Sequence, residues 1–328
     1  MIVLRKAGLV GEQWLIATGI SQEVDTFCTT PTGRIIAGSR NNGLWYSDDN
    51  GETWSQSNKT DLYWRALCVT STGKIIAGSN GNGIWYSDDN GVNWAQAKTG
   101  SGWGAFCITS TGRIIAACLS GVYGIWYSDD NGETWSQSNK TNGAWISLHI
   151  TSTGRILAGG ISGGIKYSDD NGLNWTATDK SSCDIYSFCA TSTGRVFAGG
   201  NAGYIHYSDD NGETWLSSIQ SQQYGYCLSL CVTSTGRIIA ALSNDGIWYS
   251  DNNGETWLQT AELSSVSDTT RALHALPNGR ALLGRSGGGI KYSDSLPAKF
   301  AREKYLDQNG AQEIITQFQA YCNSLVGA

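Results

Sequence analysis

The block Tyr-Ser-Asp-Asp-Asn-Gly starts at Tyr46, Tyr86, Tyr127, Tyr167 and Tyr207, and continues in altered form at Tyr249 and Tyr292. The intervals are 40, 41, 40, 40, 42 and 43 residues. A second block, Thr-x-Thr-Gly followed by Arg or Lys and an apolar run, keeps step with it. It begins at Thr30, Thr70, Thr109, Thr151, Thr191 and Thr233 and decays to Leu276-Pro277-Asn278-Gly279-Arg280. A chain built this way makes one small unit seven times, and each unit buries its apolar surface against its neighbours. Inside a copy the apolar runs are short, rich in Ile, Val, Trp and Tyr, and bounded by glycine or Asp-Asn-Gly turns, which reads as strands. In the second copy the strands are expected at Arg65–Thr70, Lys74–Gly78, Gly83–Ser87 and Trp94–Ala97. Four short strands per copy predict an all-β fold, a seven-bladed β-propeller of four-stranded blades.

The seventh copy stops at Asp294-Ser295-Leu296 without the Gly-Glu-Thr-Trp element that opens the fourth strand elsewhere. A counterpart, Gly11-Glu12-Gln13-Trp14, lies at the other end of the chain. Residues 12–18 are therefore expected to supply the outer strand of the last blade and to cover its exposed edge. The propeller domain is placed at 1–296 and a linker with an amphipathic helix at 297–328.

Only 15% of residues are charged, and 14 Trp and 42 Gly accompany a net charge of −6. That aromatic content excludes a disordered chain. An acidic balance without a basic cluster argues against nucleic acid, and the lack of a long apolar run argues against a membrane span. The first residues do not read as a secretory signal. Nine cysteines without a C-x-x-C pair imply neither a disulfide framework nor a zinc knuckle. Synthesis in a reducing compartment is expected, which leaves the final setting open at this point.

Ser-x-Asp-x-Gly-x-x-Trp, as in Ser47, Asp49, Gly51 and Trp54 and again in Ser87, Asp89, Gly91 and Trp94, resembles the Asp-box, or bacterial neuraminidase repeat. Five copies fit fully, the sixth has Asn252 at the Asp position, and the seventh is truncated. The box reads as a structural turn: Ser and Asp oxygens accept backbone N–H groups, Gly takes a positive φ, and Trp packs back on the blade. A calcium loop is the alternative, but it needs a distal bidentate Glu that the second and fourth copies lack. No metal or cofactor is expected.

Sialidases carry Asp-boxes, and the resemblance raises an enzyme of that type, with an arginine triad on a substrate carboxylate. This chain lacks the Arg-Ile-Pro motif and has seven repeats where those enzymes have six blades. Arg34, Arg113, Arg155, Arg195, Arg237 and Arg280 occupy one repeated turn position, so a triad would have to come from Arg40, Arg65, Arg271 and Arg285. Glycoside hydrolysis also needs two carboxyls about 5–9.5 Å apart. Glu23, Asp25, Asp61, Asp184, Asp245 and Asp268 lie in loops of different blades, and no motif pairs them. No catalytic residue is assigned.

The Thr-x-Thr-Gly and Asp-box turns share one face and scarcely vary, whereas the loops of the opposite face differ in length and sequence. Binding is expected on the variable face. Six residues before each Thr of the second block stand Val24, Trp64, Trp103, Trp145, Ile185, Cys227 and Thr270. The three tryptophans suit either stacking on a ligand or filling the gap between blades. With Tyr63, Tyr186, Tyr224, Tyr123, Arg40 and Arg285 they form the candidate binding set. Two residues before that Thr run Cys28, Cys68, Cys107, His149, Cys189, Cys231 and His274. These read as compact buried residues, because a zinc site needs four ligands at one point and these lie on separate strands.

After Pro297 the apolar residues Ile314, Ile315, Phe318, Tyr321, Cys322 and Leu325 recur at helical spacing within Ala311–Val326. A lone helix of this length needs a partner surface: the propeller, a second copy, or tail or baseplate proteins. Tyr305-Leu306-Asp307-Gln308-Asn309-Gly310-Ala311 resembles a segment of phage and prophage tail-associated proteins. The expected function is non-enzymatic recognition of a surface glycan or protein receptor from a phage tail or injection particle. A sialidase-like or other Asp-box glycoside hydrolase, and an intracellular assembly scaffold, are the alternatives.

Overall fold

The computed structural model describes residues 14–100, 102–121, 124–139, 143–220, 225–243, 245–260 and 270–293. Seven four-stranded antiparallel sheets follow one another, and their first strands contact each other in a closed ring. The strands of the second blade are Trp64–Val69, Ile75–Ser79, Ile84–Ser87 and Ala95–Lys98, within a residue of expectation at each end. The second strand of every blade is the most deeply buried; Ile75–Ser79 is buried along its whole length. It is covered on both faces by neighbouring blades, so it tolerates no polar alternation.

The ring closes at the ends of the described chain. Trp14–Ile16 pairs antiparallel with Ile290–Ser293 as the fourth strand of the seventh blade. The next residues tie that blade to the first: Ala17 N donates to Ile290 O at 2.9 Å, Thr18 N to Glu52 O at 2.9 Å, and Trp54 N to Thr18 O at 2.9 Å. Gly19 makes the turn with φ +87°, and a Cβ there would lie 2.2 Å from Trp54 O. The segment 297–328, with its expected helix, lies outside the described residues.

Each Asp-box is a self-contained hydrogen-bonded turn. Ser47 Oγ accepts from Gly51 N at 2.9 Å and donates to Asp49 Oδ1 at 2.8 Å; Asp49 in turn accepts from Thr53 N at 2.9 Å. Trp54 Nε1 donates to Gly51 O at 3.0 Å. Ser87, Asp89, Gly91 and Trp94 repeat the arrangement. The sixth copy keeps it with an amide in place of the acid, since Asn252 Oδ1 accepts from Ser250 Oγ and from Thr256 N. The box glycine also faces the preceding blade: a Cβ on Gly91 would lie 2.8 Å from Ile36.

The repeated arginine couples the boxes. Arg34 forks onto Asp48 at 2.7 and 2.8 Å, lies over the Tyr46 ring, and reaches Asn90 O of the next blade at 3.3 Å. Arg280 closes the circle from the seventh blade to the first through Asn50 O and Glu52. The arginine bonds to the next blade hold the blades in angular register; the carboxylates of the ion pairs are exposed, so each pair adds little stability by itself.

A two-stage acid response follows. Burial alone would raise the Asp210 carboxyl, but hydrogen bonds from Thr214, Ser208 and the Glu213 amide outweigh it and hold the group down to about 2. Its unfolded value is higher, so its contribution is complete above the ordinary carboxylate range and is lost as pH falls through about 2. Burial likewise pushes His149 and His274 down to about 4 from 6.5. Unfolded imidazoles bind protons first, and stability therefore falls as pH drops from 6.5 towards 4. Melting temperature measured from pH 7 to 2 should decline in these two windows. Asp210→Asn, which mimics the sixth box, should make only the lower decline shallower.

Candidate functional site

Every first strand carries one bulge, always at the same place. Its register against the second strand shifts between Val24 and Thr26, Trp64 and Ala66, Trp103 and Ala105, and Trp145 and Ser147. The same shift falls between Ile185 and Ser187, Cys227 and Ser229, and Thr270 and Ala272. The skipped residues are Asp25, Arg65, Gly104, Ile146, Tyr186, Leu228 and Arg271. These seven line a cavity of about 120 Å³ where the first strands begin, on the variable face. A bulge re-aims the side chain of its extra residue, and here six side chains and Gly104 meet at one cavity.

The tryptophans immediately before the bulges point the other way. Trp64, Trp103 and Trp145 are fully buried, which favours the filling of the gap between blades over stacking on a ligand. Each is a wedge between blades. A Cβ on Gly38 of the first blade would lie 2.9 Å from the Trp64 Cβ, and one on Gly78 would lie 2.7 Å from that of Trp103. Trp145 packs with Ala117 and Ile125 of the blade before it. Small residues in the second strand thus receive the large residue of the following blade.

The cavity wall is divided. One arc, from the seventh, first and second blades, is charged. Arg40 Nε lies 3.2 Å from Glu23 and 3.5 Å from Asp25; Arg271 Nε lies 3.9 Å from each acid. Tyr63 donates its hydroxyl to Asp25 and lies under both Arg40 and Arg65. Burial and the Asp25 charge push the Tyr63 phenol up, against the two guanidiniums. The other arc is apolar: Ile146, Leu228 and Tyr186, whose ring meets that of Tyr226 edge-on at 5.5 Å. Tyr186 donates to Asp184 at 3.1 Å, and burial, then that carboxylate, raises its phenol. Gly104 adds no side chain to the wall, and the next blade packs close on it: a Cβ there would lie 3.0 Å from Ile146 Cα.

Of the expected binding set, Tyr63, Tyr186 and Arg40 gather at or beside the cavity. Arg285 pairs in register with Thr270 at the end of its strand and does not line it. Tyr123 and Tyr224 lie outside the described residues. Asp25, Arg65 and Arg271, like Gly104, Ile146 and Leu228, line the cavity and stood outside that set. The signal for them is one position along from the tryptophan column, where the seven copies share no residue type except the arginines of the second and seventh.

The cysteine and histidine ring occupies the inner strands. Cys28, Cys189 and Cys231 are buried, and burial pushes the Cys28 and Cys231 thiols up to about 12. His274 shares a 2.7 Å hydrogen bond with Thr29 of the first blade. Among the described residues no three His, Cys, Asp or Glu side chains converge as a metal-binding group, and no helix is long and apolar enough to cross a membrane.

Fold and repeated turn together define an Asp-box-bearing β-propeller. The family model for the BNR/Asp-box repeat matches residues 45–56 and 126–137. No curated protein matches the chain by sequence. Among solved structures it is similar to the extracellular domain of the putative one component system BT4673 from B. thetaiotaomicron. That match has TM-score 0.68 and 16% identity over 86% of this chain, which spans 39% of that one. It is similar to YCF48 from Cyanidioschyzon merolae, with TM-score 0.69 and 12% identity over 85% of this chain and 98% of that one. A structure of YCF48 bound to a D1 peptide also matches, with TM-score 0.69 and 16% identity, covering 90% of this chain and 100% of that one. A catalytically inactive virginiamycin B lyase from Staphylococcus aureus with quinupristin aligns with TM-score 0.69 and 10% identity over 87% and 99% of the two chains. At these identities the likeness is one of fold.

Proposed function

We propose that the protein is a non-enzymatic recognition propeller that takes the end of a surface glycan or protein into the channel mouth of its variable face. One observation carries this reading: seven bulges bring seven residues of six types to a single cavity, while the near-identical turns occupy the opposite face. Repetition maintains the scaffold, and the one place where the copies diverge yet converge in space is the place for a specific contact. A neighbour of the same fold, YCF48, has been solved with a peptide bound, which supports a macromolecular partner.

The hydrolase alternative fits less well. Glu23 and Asp25 converge on the same guanidiniums, Arg40 and Arg271. A glycosidase pair instead flanks the scissile bond from two sides. The setting we propose is a phage tail or related injection particle, on the resemblance of Tyr305–Ala311, with Ala311–Val326 as the attachment segment. Co-purification with virions tests that setting.

The binding reading is tested by comparing two single substitutions for capture of fluorescent protein on cell surfaces and glycan arrays. Tyr186→Ala, at the mouth, should weaken binding by roughly tenfold or more, as a central aromatic contact does. Asp88→Ala, on the uniform face, should leave binding as it was. Equal binding by both variants would refute the assignment.

A further inference from the structure

We infer that the group seated in the channel mouth is an uncharged, hydroxyl-rich terminal sugar ring and not a carboxylate. This rests on the mouth being the binding site. Three neighbouring guanidiniums, taken alone, would suit an anion. The charge of two of them is already offset, however: Arg40 faces Glu23 and Asp25 at 3.2 and 3.5 Å, and Arg271 faces both at 3.9 Å. Three positive and two negative groups leave this arc a formal charge of only +1. Asp25 also stands between Arg271 and Arg65 in the ring of bulges, so an anion laid across those two arginines would meet a carboxylate that is itself 9% exposed. Like charges at such a poorly solvated position repel strongly.

What the arc offers is alternation. Passing from the seventh blade to the second, the ring presents a donor at Arg271, an acceptor at Asp25 and a donor at Arg65. A carboxylate can only accept; neighbouring hydroxyls both donate and accept, and they match such a row. The arc also holds unmet capacity. Asp25 Oδ1 and Arg271 Nε are buried without a hydrogen-bond partner, and Glu23 Oε2 has none beyond its ion pair with Arg40. The 3.9 Å separations between Arg271 Nε and the two acids are too long for direct bonds. A hydroxyl, alone or through one water, would bridge groups that are costly to leave unpaired. Across the cavity, Tyr186, Ile146 and Leu228 supply the apolar surface on which the C–H face of a pyranose rests. A volume of about 120 Å³ is well below the ~300 Å³ at which pockets for larger ligands begin. The occupant is therefore one ring at a chain end, met end-on.

Saturation-transfer NMR and titration of the full chain test this. The probes are methyl glucoside, galactoside and mannoside and N-acetylglucosamine, beside N-acetylneuraminic acid, glucuronate, acetate and a short peptide with a free C-terminus. At least one neutral probe should bind saturably, with affinity changing less than about twofold between about 50 and 500 mM NaCl. Asp25→Asn and Arg65→Gln should each weaken it by about tenfold. Because Asp25 also holds Arg40 and Tyr63, the arginine variant, which breaks no ion pair among the described residues, serves if the first fails to fold. Tighter binding of an acidic probe or the peptide, lost at high salt and in Arg65→Gln, overturns the inference and leaves the mouth as the binding site. Neutral binding unchanged in Arg65→Gln overturns both. Binding by no probe overturns the inference, and the cell-surface comparison of Tyr186→Ala then decides the mouth separately.

Discussion

Trp64→Ala should lower the melting temperature by roughly 10 °C, as should Trp103→Ala, and both should do so without a specific loss of ligand affinity in the fraction that stays folded. Each indole is fully buried between two blades. Trp64 meets Trp85 edge-on and Trp94 at a tilt, with centroids 6.3 Å away in each case, and Trp103 has the same relation to Trp126 and Trp135. Truncating a buried Trp to Ala costs about 3–5 kcal/mol, through lost transfer energy and the cavity left behind. Nothing nearby can collapse into the space, because the receiving residues, Gly38 and Gly78, sit on strands pinned on both faces. At about 2–4 °C per kcal/mol for a large domain, the shift is readily measured by calorimetry. A variant that melts like the parent but no longer binds would restore the tryptophans to the ligand surface.

The contrast between Trp64 and Arg65 explains how far the sequence could be read. Strand positions, blade number and the closing strand were legible because period, turn residues and apolar runs all point to one architecture. The Asp-box was legible because each of its hydrogen bonds lies within one short segment, as between Ser47 and Gly51. The charged arc of the cavity was not legible as a unit. Strand alternation says that neighbouring residues face opposite ways, but it does not say which of the two faces the channel. The bulge decides that, and a bulge depends on how two strands pair, which no single segment encodes. Aromatic residues drew attention to the column of Val24, Trp64 and Trp103, whereas the channel receives Asp25, Arg65 and Gly104. Convergence of Arg40 and Arg271 on Glu23 and Asp25 was equally hidden, because it joins residues about 250 positions apart through ring closure.

Ring closure is also where the largest loss is expected. Removing residues 1–18 should yield a protein that aggregates on expression or melts more than about 10 °C below the intact chain. The deletion takes away the whole outer strand Trp14–Ile16 and leaves Ile290–Ser293 as an uncovered edge, an open template for another chain. It also removes Trp14, which packs with Ile239, Leu283 and Ile247 across the sixth and seventh blades. The bond from Ala17 to Ile290 within the seventh blade goes with it, as does the bridge of Thr18 to Thr53, which fastens that blade to the first. In a closed ring each blade has two neighbours. Without this clasp the first and seventh blades keep their inner contacts, such as that of Thr29 with His274, and the turn-face bonds of Arg280 to Asn50 and Glu52, and separation there exposes two apolar faces at once. Single substitutions divide the effect. Trp14→Ala should cost about 3–5 kcal/mol, and Gly19→Val should also destabilise, because its φ is +87° and a Cβ meets Trp54 O at 2.2 Å. Ile16→Lys, on a side chain 69% exposed, should be nearly neutral. Light scattering with thermal melts reads all four variants. A monomeric truncated protein melting within about 2 °C of the parent would mean that the ring is held by its inner strands alone.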